Sequence, residues 1–318
     1  MAHEIFNNSF AYVGEPAWHR LGTNMAVDAT KDQWVKTAGF DWDAVKTPVS
    51  FDFKGETRQM SNRFVIHRSD DGTPLSVMSG NFQIMQPREV IDWMYETTKT
   101  SGAKMETAGV LNNGSKFWAL ARFDDSFDLP GDSKVLPYLM LATSLDGSMS
   151  STAAFTTVRV VCANTLAYAR REVESGNNAA PVVRVPHSTK FNGDEVAKQL
   201  GLFGDNWTSF KKQSVAMANT AVDEDEAVRY FLKVLHPGTE KYDLKNPQMA
   251  KLLEVYKTAP GQNTAAAQNT VWGMLNAVTR YADHEVKSSS DAKRLESSWF
   301  GRGSRVKAAA LDAALALV

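Results

Sequence analysis

A change of hydrophobic period near residue 188 constrains this chain more than any other feature. Before it, apolar residues come in short runs rich in β-branched and aromatic side chains, separated by turn signals. Beyond it they recur at helical spacing. "NRFVIHRSDDGTPLSVMSGNFQIMQ" (62–86) carries "DDG" between two apolar runs and predicts a hairpin. "AKMETAGVLNNGSKFWALARFD" (103–124) reads as strand, "NNG" turn, strand, and residues 134–161 as two further strands joined at "LDGS". One helix interrupts the β pattern, over 86–102: Val90, Trp93, Met94 and Thr97 share a face, Pro87 suits the first turn and Gly102 the exit. Thr30 caps a short helix ending near Gly39. Helices are expected over 193–222, 223–235, 246–258 and 263–286, and a last one over "RVKAAALDAALALV". The fold class is therefore α+β: a largely antiparallel sheet with packed helices, then a mainly helical C-terminal region. The domain organisation expected is an α+β domain over 1–188 and a helical region over 189–318. The aromatic N-terminal segment, with Tyr12, Trp18, Trp34, Phe40 and Trp42, is expected to pack onto the body of the first.

Composition narrows the setting. Hydrophobic residues make up 43% and charged residues 22% of the 318, which suits a globular chain with a sizeable core. The net charge of −1 excludes a protein coated in basic residues and leaves room for a local basic groove. A single cysteine, Cys162, permits no disulfide within the chain and no thiolate zinc site. The first residues lack the basic and apolar regions of a secretory leader, and "VLPYLMLATSL" (135–145) is too short to span a bilayer. The expectation is a cytoplasmic protein with no membrane association.

The most suggestive stretch for chemistry is "STAAFTTVRVVCANTLAYARR" (151–171), with Arg159, Arg170 and Arg171 and no acid. If 152–161 is a strand, Arg159 shares a face with Phe155. Asn164 then reads as the N-cap of a helix starting at Thr165. A strand feeding a helix N-terminus offers free N–H groups to an anion, and a nearby arginine adds bidentate phosphate binding. The competing reading is a buried Arg159 paired to a carboxylate such as Asp146. Cys162, between apolar neighbours, reads as a core residue and not as a nucleophile.

Two further clusters have a nucleic-acid composition. In "NWTSFKKQ" (206–213), Trp207 and Phe210 are three residues apart and Lys211 and Lys212 follow, the mixture that stacks bases and meets phosphates; the same spacing also describes a core stripe. In "WFGRGSRVK" (299–307), two glycines allow close backbone approach, and Arg302, Arg305 and Lys307 are candidates for phosphate contact. Enzyme motifs are missing: no phosphate-binding glycine loop, no dinucleotide fingerprint, no GxSxG and no HExxH. The acidic run "RFDDSFDLPGDSK" (122–134) superficially suggests a metal-dependent nuclease, but its spacing is that of a loop. No cofactor is expected.

"AYVGEPAWHRLG" (11–22), "AFTTVRVVCANTL" (154–166), "WGMLNAVTRYADHEV" (272–286) and "WFGRG" (299–303) resemble the phage/plasmid-like protein family of unknown function. The resemblance runs over nearly the whole chain. It implies a mobile genetic element in a bacterial host and supplies no activity for any residue. The function expected is that of a DNA-metabolism accessory protein that binds single-stranded nucleic acid, in annealing or recombination. Its contacts would be Arg159, Arg170, Arg171, Lys211, Lys212, Arg302 and Arg305, with Trp207 and Phe210 stacking. The alternatives are a protein-binding modulator of a host system, which an exposed cluster of Trp18, Trp34 and Trp42 would favour, and a metal-dependent nuclease. The state of oligomerisation stays open.

Overall fold

The computed structural model describes residues 5–14, 22–131, 133–159, 164–167, 182–200, 203–238 and 246–318. The fold is α+β with an antiparallel-rich sheet and a helical C-terminal region. Its strands are β1 (Ile5–Val13), β2 (Thr23–Met25), β3 (Ala44–Phe53), β4 (Glu56–Arg68), β5 (Pro74–Ser79), β6 (Lys104–Leu111), β7 (Lys116–Arg122), β8 (Phe127–Leu129), β9 (Ser133–Ser144), β10 (Ser151–Arg159), β11 (Asn164–Ala167) and β12 (Val182–Val185). The helices are α1 (Lys31–Thr37), α2 (Pro87–Ser101), α3 (Gly193–Leu200), α4 (Phe203–Asn219), α5 (Glu224–Leu235), α6 (Pro247–Thr258), α7 (Val271–Arg280), α8 (Asp291–Phe300) and α9 (Arg302–Leu315). The larger sheet runs in the order β11-β10-β9-β7-β6-β1-β2, with β12 on β10 and β8 on β9; β3, β4 and β5 form a separate three-stranded meander.

Two compact units divide the chain. The first comprises the described residues of 1–122, 139–154 and 182–201, the second those of 123–138, 155–181 and 202–318. Where the sequence drew one boundary at 188, the units interleave: α3 belongs to the first, and the β8 hairpin to the second. Helix α3 packs on β12, β8 packs on α4, and β11 packs on α7 and α9; these contacts join residues far apart in the chain, and local periodicity carries no trace of them.

In the first unit α1 begins where expected. Thr30 accepts from the Gln33 N–H while the Gln33 side chain accepts from the Thr30 N–H, a capping box. Helix α2 starts on Pro87 and stops at Gly102, whose φ of 73° is left-handed. Its buried Val90, Ile91 and Met94 form the face that packs on β6 and β7. Trp34, Phe40 and Trp42 are buried, and Phe40 and Trp42 each place a ring 5.6 Å from Phe117. The N-terminal aromatics named for an exposed protein-binding patch are thus core residues in two cases, Trp34 and Trp42, while Trp18 lies outside the described residues. Arg68, also buried, stands 4.2 Å from the Trp42 ring and makes a two-point contact with Asp70; that hydrogen bond holds the Asp70 carboxyl below the usual carboxylate range.

The second unit is a helical core. Phe210, Met217, Phe231, Leu252, Val271, Leu275 and Leu311 bring α4, α5, α6, α7 and α9 together, with Phe127 and Leu129 of β8 among them. Residues 263–270, expected as helix, form turns instead. Asn269 takes a left-handed φ of 53° and Thr270 caps α7 by accepting from the Gly273 N–H, so the helix begins at Val271. The helix passes into a π-helical turn at Tyr281–Glu285. Helix α8 was not foreseen; Ser290 caps it by accepting from the Lys293 N–H.

Candidate nucleic-acid interface

The least explained surface of the first unit is the end of the β3–β4 hairpin. Every residue from Ser50 to Arg63 is exposed. The turn is Lys54-Gly55, both with positive φ (52° and 81°), the conformation that matches the twist of a two-residue hairpin. Register places Phe51 opposite Arg58 and Phe53 opposite Glu56, so these four share one face, and alternation adds Met60 to it. The other face carries Ser50, Asp52, Thr57 and Gln59, and Thr57 Oγ1 donates to Asp52 at 2.7 Å. The arm is therefore two-sided. One side is polar and internally bonded. The other exposes two phenylalanines and a methionine, at 52%, 46% and 50% for Phe51, Phe53 and Met60.

That apolar side is cationic at its edge. The Arg58 guanidinium lies 5.0 Å from the Phe53 ring centre and the Lys54 ammonium 5.4 Å. Arg58 also meets Glu56 at 3.1 Å, an exposed pair of little stabilising value. Between residues 44 and 63 four basic side chains (Lys46, Lys54, Arg58, Arg63) face two acidic ones. Lys46 secures the base of the arm by donating to the carbonyls of Gly80 and Phe82. A surface of exposed rings with cations beside them can stack planar groups and bind the anions attached to them.

The residues singled out from sequence fall elsewhere. Arg170, Arg171 and Cys162 lie outside the described residues, and Arg159 is placed by its backbone alone, at the end of β10. Asn164 does not cap a helix. It begins β11, which pairs antiparallel with β10 so that Arg159 stands opposite Asn164. Cross-strand pairing prevails there over the local capping signal, and the helix N-terminus invoked for anion binding is replaced by strand. Asp146, named as an alternative mate for Arg159, accepts from Ser115 Oγ and from the Ser148 N–H.

Trp207 and Phe210 are buried, at 5% and 1% exposure. Trp207 packs 5.0 Å from Phe127, and Phe210 lies 6.5 Å from Trp272. Their spacing is a core stripe, and neither ring faces a base. Lys211 and Lys212 remain exposed on α4, with Lys211 5.8 Å from the Phe127 ring. Arg302 and Arg305 are exposed on α9, whereas Lys307 points inward, to Asp283 at 2.6 Å. Asp124, Asp125 and Asp128 are exposed, and among the described residues no three His, Cys, Asp or Glu side chains are grouped to hold a metal ion. No described helix is long and apolar enough to cross a membrane.

The arm itself was legible and was missed. "SFDFKGETRQM" alternates phenylalanine with charge around a Lys-Gly turn, which is the pattern of a hairpin with one aromatic face.

Comparison with curated proteins and with solved structures found no match. A family model, the domain of unknown function DUF932, matches residues 74–299, well over half of the chain. Its span takes in β5 to α8, and with them most of the larger sheet and most of the helical core, so the chain belongs to the DUF932 family.

Proposed function

We propose that this protein binds single-stranded nucleic acid through the aromatic face of its β3–β4 arm. The observation that carries the reading is the pair of exposed rings, Phe51 and Phe53, on one face with Arg58 and Lys54 beside them. Side chains two apart on a strand are roughly 7 Å apart, a distance that lets successive unstacked bases each meet a ring. Lys54, Arg58 and Arg63 meet the phosphates. Nothing in this arrangement asks for catalysis. The resemblance to phage/plasmid-like proteins supports a role in the DNA metabolism of a mobile element within a bacterial cytoplasm, as an annealing or recombination accessory. The exposed Lys211, Lys212, Arg302 and Arg305 of the second unit are candidates for further backbone contact.

Fluorescence anisotropy with a labelled oligodeoxythymidine tests this. Binding is expected at low salt, with log K falling against log salt at a slope near −2 to −3, the value for three or four phosphate contacts on a single strand. No binding at low salt, or affinity indifferent to salt, rejects the reading. Met60 on the same face favours a second reading, a protein partner in the host. That partner would be captured from lysate after nuclease treatment and lost with Phe51→Ala/Phe53→Ala.

A further inference from the structure

The second unit carries a groove that the arm reading does not use. It has a volume of about 260 Å³, between α5, the residues that follow α4 and the end of the chain. Its floor is apolar, made by Tyr230, Val271, Ala313 and Leu317. The Tyr230 hydroxyl is already spent, donating to the Ala310 carbonyl at 2.7 Å. Burial pushes that phenol well above its ordinary range, so the floor stays uncharged. The adjoining backbone is paired as well: Val222 N–H donates to Asn269 O and Val271 N–H to Thr220 O. The floor therefore offers an occupant contact area and little hydrogen bonding.

Charge sits at the mouth. Arg229 and Lys233 are four apart on α5, so their side chains rise from the same face. Both are exposed, and neither forms an ion pair with a described carboxylate. The acid at the rim, Glu226, is held by its helix cap, accepting from the Asp223 N–H at 2.9 Å. Two cations over an apolar slot select a molecule with an apolar body and one anionic head.

We infer that this groove binds a small amphipathic anion, its apolar body on Tyr230, Val271, Ala313 and Leu317 and its carboxylate or phosphate between Arg229 and Lys233. Taking about 30 Å³ for each heavy atom, the volume holds roughly eight such atoms. Hexanoate is that size, and a ligand so small binds at about 1 mM.

The test is a titration followed by amide chemical shifts of the full chain. Hexanoate and hexyl phosphate are expected to shift the same residues around Val271 and Leu317 and to saturate. Hexylamine, of opposite charge, is expected not to saturate there. Arg229→Gln/Lys233→Gln changes two exposed side chains and is expected to keep the fold while weakening hexanoate about tenfold or more. Saturation by hexyl phosphate alone identifies the phosphate as the head group, and by both probes the shared anion. Equal shifts with hexylamine, undiminished hexanoate binding by the glutamine variant, or no saturation up to about 20 mM, some twenty times the expected constant, overturns the inference. These outcomes are distinguishable from oligonucleotide binding, whose proposed contacts, the arm with Lys211, Lys212, Arg302 and Arg305, do not line this groove.

Discussion

Replacing Lys307 by alanine is expected to destabilise the protein by about 3–5 kcal/mol, the cost of stranding a buried charge. Lys307 and Asp283 are 4% and 5% exposed. The ammonium lies 2.6 Å from Asp283 Oδ1 and 3.0 Å from Ser298 Oγ, and the serine hydroxyl donates to the same carboxylate oxygen. Three elements converge on this point: the π-helical turn that follows α7 supplies Asp283, α8 supplies Ser298 and α9 supplies Lys307. The widened turn changes the angular order of α7's side chains where Asp283 leaves the helix. Removing the lysine deprives the carboxylate of its cation in an environment too dry to solvate it. Urea unfolding of the alanine variant measures the loss through its midpoint at constant slope. The pair Asp283→Leu/Lys307→Met removes both charges and is expected to be more stable than Lys307→Ala alone. A loss below about 1 kcal/mol, the range of a surface pair, contradicts the buried geometry.

Gly273→Ala is expected to cost about 3 kcal/mol or more, above the usual range for one added methyl group. A Cβ at this position falls 1.8 Å from the Ala267 carbonyl oxygen, 2.8 Å from its carbon and 3.2 Å from Gln262 Oε1. The obstacle is backbone, and Ala267 is itself sealed in the core, so no side-chain rotation relieves it. Gln262 Nε2 donates to the Gly273 carbonyl at 3.1 Å and fixes the same approach from the other side. The glycine thus stands inside α7 to let the 259–270 segment lie against the helix, and its helix-propensity penalty is offset by that contact. Differential scanning calorimetry should place the variant's melting temperature roughly 6–12 °C below the wild type. An unchanged melting temperature would mean that Ala267 is free to retreat.

The contrast between these two positions and the surface arm explains what could be read in advance. Helix and hairpin boundaries were legible where a single residue type settles a local geometry. Thr30 with Gln33, Pro87 with Gly102 and the Asn-Asn-Gly turn at 112–114 are of that kind. What failed depended on distant partners. Asn164 carries a sound capping signal, yet its backbone finds β10 first. Trp207 and Phe210 have the composition of a stacking platform, and only the Phe127 of a far hairpin shows that their stripe faces inward. Lys307 reads as a third surface cation beside Arg302 and Arg305, and only its partners on two other helical elements, Asp283 and Ser298, show that it points inward. The β3–β4 arm is the reverse case. Its alternation stands in ten consecutive residues, but an aromatic face is normally assigned to the core, and its exposure had to be seen.

The most direct test of the arm's role compares wild type with Phe51→Ala/Phe53→Ala in oligonucleotide binding. Both rings are exposed, so the variant is expected to melt at the wild-type temperature. At about 1–3 kcal/mol for each stacked base, loss of both should weaken binding by at least about 30-fold. The salt slope should persist, since Lys54, Arg58 and Arg63 remain. Wild-type affinity in the double variant would contradict the account outright.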